Sequence, residues 1–130
     1  VPSPGHAGKV AFLQSLDLLS VPTVYREPKG LYILEALANG VPVVQPRHGA
    51  FPELIEATGG GILVEPDRPA ALADGLRRML DDVELRRQCG EHGRAAVRER
   101  FTAERMAAAT VDILGRHVAN PSPTAGSNPP

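Results

Sequence analysis

The 130-residue chain has no tryptophan, three phenylalanines and two tyrosines. Few rings are therefore available for unstacked bases, which argues against a single-strand nucleic-acid platform. Neither sign of charge is in excess: 14 lysines and arginines stand against 15 acidic residues. A near-neutral chain has no field to draw it to nucleic acid or to an anionic membrane surface. Short basic stretches such as Arg47-His48-Gly49 read as solvated surface. A lone cysteine, Cys89, excludes an internal disulfide framework and fits a reducing compartment. No apolar run approaches the ~20 residues of a membrane span, and no signal peptide is visible. The expected location is cytoplasmic, with peripheral membrane attachment of a longer protein left open.

What is present is one domain's worth of alternating strands and helices. Residues 1–8 are turn-rich, and Val10 to Leu16 reads as the end of a helix. Asp17–Val21 reads as a short buried strand, followed by a loop. Leu31–Asn39 then carries Leu31, Leu34, Leu37 and Ala38 at helical spacing, with Gly40 where a helix end favours a left-handed residue. The segment VPVVQ is the next strand, Phe51–Ala57 a short helix, and Ile62–Glu65 a third strand. Asp67 and Pro69 mark a helix start, with Leu72, Leu76, Met79 and Leu80 as its apolar face. Glu84–Glu99 forms a longer helix with Leu85, Cys89, His92 and Ala96 on one side. Thr102 caps a last helix to about Val118, and residues 119–130 should be a disordered Pro/Ser-rich tail.

This order predicts an α/β fold, a partial Rossmann-like parallel sheet covered by helices. Three strands are few for such a sheet. With Val1 standing at the approach to a helix, the first half of the sheet is expected upstream. Residues 1–118 are then the later portion of a truncated domain.

The chemistry concentrates in REPKGLYILEALANGVPVVQPRHG, Arg26 to Gly49. In open parallel sheets, ligands bind where strands lead through loops into helix N-termini. A helix starting near Gly30 offers unpaired N–H groups and partial positive charge, suited to phosphate. Gly30 leaves room for a backbone approach. Carboxylates there would repel phosphate and should serve another part of the ligand. Glu35, four residues after Leu31, lies on the same helical face; its two oxygens could accept both hydroxyls of a vicinal diol. Glu27, ahead of the helix, could take sugar hydroxyls. Spacing alone leaves the plain alternatives open, since acidic residues near a helix start also serve the dipole or the solvated surface.

The other polar residues point to no second centre. Asp81 and Asp82 are adjacent at a helix end, without D-x-D spacing. His6, His48, His92 and His117 lack ligand spacing, so no metal site is expected. His92 reads as semi-buried, and His48 as a loop residue that could line the cleft. Glu53 reads as support for its own helix, and Cys89 as core.

The stretch EPKGLYILEALANGVPVV resembles the E-x7-E region of retaining glycosyltransferases of the GT-B fold. The shared positions are Glu27, Gly30, Leu31, Glu35, Ala36, Ala38, Gly40, Pro42, Val43 and Val44. HGAFPELIEATGGGILVEP, the ALADGLRRMLDD helix and RERFTAERM extend the likeness over residues 10 to about 117. The resemblance implies a nucleotide-diphosphate-sugar donor, bound as substrate with no cofactor and no metal. Glu27 would contact donor-sugar hydroxyls as the catalytic candidate, and Glu35 the ribose hydroxyls. The backbone at Lys29, Gly30, Leu31 and Tyr32 would follow sugar and pyrophosphate. Transfer would retain the anomeric configuration, by a front-face route or through a covalent intermediate, so Glu27 is not assigned as nucleophile. Lys29 replaces the family's usual aromatic residue; its ammonium could reach a phosphate or remain solvated. The family's phosphate-neutralising bases and acceptor domain would lie outside this chain, which is expected to be inactive alone. A non-catalytic nucleotide-sugar module and a GT-B-type epimerase are the alternatives.

Overall fold

A computed structural model describes residues 5–119. The chain divides into two units, Val1–Arg100 and Phe101–Pro130.

In the first unit, α1 (His6–Gln14) and α2 (Leu31–Ala38) precede β1 (Val43–Pro46). α3 (Phe51–Thr58), β2 (Gly61–Val64), α4 (Pro69–Asp81) and α5 (Val83–Arg100) follow. β1 and β2 pair in parallel, with Val43 opposite Gly61 and Pro46 opposite Val64. Every β1 residue is buried, as expected of a parallel strand covered on both faces. Successive residues serve opposite faces. Val43 packs with Ile33, Leu37 and Phe51 beneath α2 and α3. Val44 packs with Val64, Met79 and Cys89 beneath α4 and α5. Phe51, Ile33, Leu37 and Met79 are fully buried, and each such side chain contributes about 1.5–3 kcal/mol.

The expected strand at Asp17–Val21 shrinks to a single parallel bridge between Leu19 and Val43. Leu19 makes both its ladder bonds, donating to Pro42 O at 2.9 Å and accepting from Val44 N–H at 3.1 Å. The next ladder bond would join the Val21 N–H to Val44 O. Instead, the Ser20 hydroxyl donates to Val44 O, and the Gln45 side chain accepts from the Val21 N–H. Two side chains thus take over the groups that would have continued the strand.

Other boundaries shift for local reasons. α1 begins at His6, so the turn-rich reading fails for residues 6–8. The buried face of α2 is Ile33, Ala36 and Leu37, while Leu31 is 60% exposed at the helix start. On α4, Met79 is buried but Leu80 is exposed. On α5 the inward face runs through Cys89, Gly90, Gly93, Ala96 and Val97, leaving His92 exposed rather than semi-buried. That rotation follows from close packing. A Cβ on Gly93 would stand 2.6 Å from a Leu37 methyl.

The second unit contains α6 (Ala103–Ala119), capped as expected by Thr102, whose hydroxyl accepts from the Arg105 N–H. Glu104 in its first turn and Arg116 in its last suit the helix dipole. Of the expected tail, only Ala119 falls within the described residues, as the end of α6; residues 120–130 lie outside them.

Candidate functional site

The loop after the Leu19 bridge enters α2 through Gly30, which holds φ 63°, ψ 35°. An L-residue is strained in that left-handed conformation. A Cβ there would also lie 2.7 Å from a Leu54 methyl on α3, so the room made by Gly30 is filled by core packing. Gly30 O accepts the Ile33 N–H at 2.9 Å. The Leu31 and Tyr32 N–H groups, first in the helix, have no intrahelical acceptor, and no side chain caps them. They have no acceptor among the described residues and are the donors this terminus offers.

Glu27 folds against its own loop. Its Oε1 accepts the N–H groups of Lys29 at 3.1 Å and Gly30 at 3.0 Å, while Oε2 accepts the Tyr25 hydroxyl at 3.0 Å. The amide bonds, Gly30 first, hold its carboxyl below the usual carboxylate range and keep it ionised. The hydrogen bond to Glu27 pushes the Tyr25 phenol up, so Tyr25 remains the donor. Three of the four lone-pair sites on Glu27 are thereby used and one on Oε2 remains.

A second loop, following β1, fixes this arrangement. The Ala50 N–H donates to Glu27 O at 2.8 Å. At Gly49, φ 57°, a Cβ would lie 2.5 Å from Glu27 O and 2.7 Å from Glu27 N. Only glycine allows the two backbones to approach this closely. His48 accompanies them: its Nε2 lies 2.8 Å from Thr23 O. A carbonyl can only accept, so that nitrogen carries the proton. Nδ1 of the same ring is buried with no partner among the described residues. The ring packs on Phe51 at 5.6 Å, and Tyr32 meets Phe51 edge-on at 6.3 Å. Burial first, then the Glu27 charge, pushes the Tyr32 phenol up to about 12. Its hydroxyl has no partner among the described residues.

Glu35 lies one turn into α2, half-buried, with Oε1 2.6 Å from Lys9 Nζ on α1. Asn39 reinforces the same seam, donating to Glu35 O and accepting from Gln14 of α1 at 3.2 Å. Lys29 is exposed beside the terminus.

Of the sequence-derived residues, Glu27, Lys29, Gly30, Leu31 and Tyr32 therefore gather at the start of α2, while Glu35 lies one turn further on and faces α1. Sequence reading missed Lys9, Tyr25 and the contact between Gly49 and Glu27. Nothing in the local pattern places α1 against Glu35, and a tyrosine two residues before a glutamate is not a distinctive signal. The remaining candidates have local roles. Asp82 Oδ1 accepts the Leu85 N–H at the start of α5, a helix-end role. Glu53 lies in the first turn of α3. Cys89 is buried in the core, and burial pushes its thiol up.

A cavity of about 380 Å³ opens beside this site, lined by Pro22, Val24, Pro46, Val64, Pro69 and Leu72. Glu65, Asp67 and Arg68 also line it, and Arg68 is paired with Glu65 at 2.9 Å. Apolar walls and two carboxylates beside one already paired cation do not suit a diphosphate. Among the described residues, no helix is long and apolar enough to cross a membrane. No group of three or more His, Cys, Asp or Glu side chains among them could hold a metal.

The family described as "Glycosyl transferases group 1" matches residues 4–96. The N-acetyl-alpha-D-glucosaminyl L-malate synthase of Bacillus anthracis is 36% identical over 102 residues, 78% of this chain and 27% of that protein. The sucrose-phosphate synthase of Thermosynechococcus elongatus superposes with a TM-score of 0.79 at 29% identity, covering 92% of this chain and 30% of that one. An Anabaena protein solved in complex with UDP gives 0.74 at 25% identity, covering 81% and 29%. The chain thus spans less than a third of the length of these relatives. With its parallel sheet and covering helices, this chain belongs to the group 1 glycosyltransferases and has the architecture of the C-terminal portion of their GT-B fold.

Proposed function

We propose that this chain carries part of the donor site of a glycosyltransferase that moves a sugar from a nucleotide-diphosphate sugar to an acceptor with retention of configuration. One observation carries the reading: the first N–H groups of α2 have no acceptor among the described residues, with Glu27 held by the loop just before them and Glu35 one turn after them. Leu31 and Tyr32 N–H would meet the diphosphate, helped by the partial positive charge of the helix terminus. Lys29 could add its charge there. The Glu27 oxygen left available would accept a sugar hydroxyl while its loop amides and Tyr25 hold it in place. Glu35 would take the ribose hydroxyls through charge-assisted bonds. The likeness to a protein solved with UDP supports a nucleotide at this fold position.

In this reading the leaving diphosphate is stabilised by helix N–H groups and cations rather than by a metal. The acceptor site belongs to another domain, and this chain alone does not turn over. A calorimetric titration of nucleoside diphosphates, with and without EDTA, tests the proposal. Binding should survive the chelator, and Glu35→Ala should weaken it by about 1–3 kcal/mol. Unchanged affinity in Glu35→Ala would remove Glu35 from the site, and strict metal dependence would overturn the mechanism.

A further inference from the structure

The Lys9–Glu35 pair joins α2, which carries the proposed site, to α1, which that site otherwise does not use. Lys9 comes from α1, 26 residues before Glu35, and its ammonium reaches the carboxylate at 2.6 Å. Both side chains remain partly open to solvent, 44% and 43% exposed, so a ligand can approach either. The pair sits on an ordered seam. Leu13 of α1 packs into the core with Ile33 and Leu37 of α2, and Gln14 bonds Asn39.

The hydrogen-bonding inventory of the pair is incomplete in a complementary way. Among the described residues the ammonium, with three donors, uses one on Glu35, and Glu35 retains three of its four acceptor sites. Each hydroxyl of a vicinal diol can donate one hydrogen bond and accept others. A carboxylate alone satisfies only the donating side of that diol. A carboxylate with an adjacent ammonium can satisfy both sides.

We propose that Lys9 is a second ribose-binding residue, holding the Glu35 carboxylate in position and donating to the same diol that Glu35 accepts from. The inference rests on the assignment of Glu35 to the ribose. It adds to that assignment a residue from another helix, so that ribose recognition depends on α1 docking against α2.

The test uses the intact chain and whichever of UDP, GDP and ADP binds the wild type most tightly. Its 2′-deoxy counterpart and inorganic pyrophosphate are titrated in parallel. Lys9→Met should weaken the ribonucleotide about tenfold and narrow the preference for ribose over 2′-deoxyribose. Pyrophosphate, which has no ribose, should bind unchanged. Lys9→Arg should keep most of the preference, and Gln14→Ala, one turn further along the seam, should keep all of it. If Glu35→Gln narrows the preference and Lys9→Met does not, Lys9 is only a surface ion pair and the inference fails. Equal losses for ribonucleotide, deoxynucleotide and pyrophosphate in Lys9→Met would also overturn it, showing a general structural or charge effect. If neither variant changes the preference, the Glu35 assignment itself fails; if no nucleotide binds, the donor-site reading on which that assignment rests fails with it.

Discussion

Replacing Gly49 by alanine tests how the candidate site is built. Two penalties arise from the geometry. First, φ is 57° at this position, and a left-handed L-residue costs about 1–2 kcal/mol. Second, the new methyl would stand 2.5 Å from Glu27 O and 2.7 Å from Glu27 N. Those are backbone atoms, so no rotamer change can relieve the contact and one loop must move. Movement breaks the Ala50 N–H bond to Glu27 O at 2.8 Å, a further loss of about 1 kcal/mol. Together these give a destabilisation of about 2–3 kcal/mol. Urea unfolding followed by circular dichroism measures it, with an unchanged m-value showing that the denatured state is not the cause. Gly5→Ala is the control. Its Cβ would meet nothing within 4 Å, so the change loses only the N-cap preference for glycine over alanine at α1, about 1 kcal/mol or less. If Gly49→Ala is as stable as Gly5→Ala, the close apposition of the two loops is wrong. The displaced loop also carries Glu27, so nucleotide affinity should fall in the same variant.

Thr58 ends α3 by donating to Leu54 O at 2.7 Å and accepting the Gly60 N–H at 3.2 Å. Thr58→Val should therefore cost about 1–3 kcal/mol by leaving a buried N–H unsatisfied; urea midpoints should show Thr58→Ser restoring most of it. Hydrogen bonds from Arg87 first, then Gln88, hold Glu84 at about 2, below its usual 4.5. A depressed carboxylate stabilises the fold above its unfolded pKa and loses that contribution as pH falls through the folded value. Wild type should thus lose its advantage in urea midpoint over Glu84→Gln between about pH 4.5 and 2; a gap independent of pH would contradict this.

The sequence revealed best those elements whose local pattern and packing agree. The α2 start and end, the strand through Val43 and Val44, Cys89 in the core and the Thr102 cap were all legible from spacing or residue chemistry. Failures came where distant groups decide the outcome. The Asp17–Val21 strand is cut short by the side chains of Ser20 and Gln45, the latter from another strand. His92 turns outward because Gly93 packs on Leu37. At the site, the residues surrounding the helix start were legible, but their partners were not. Gly30 makes room for Leu54, Gly49 admits the Glu27 backbone, and Lys9 reaches Glu35 from another helix. Each pairing is set by tertiary packing that no local spacing encodes.

The central claim is that α2 presents its first free N–H groups to the diphosphate of a nucleotide. Amide chemical shifts of the ¹⁵N-labelled chain, titrated with UDP, GDP or ADP in the presence of EDTA, test it directly. The account predicts saturable shifts led by Leu31 and Tyr32, with Glu35 and Lys9 responding in the same isotherm. Shifts confined to the cavity between Pro22, Pro46 and Leu72, with the α2 start unmoved, would contradict it.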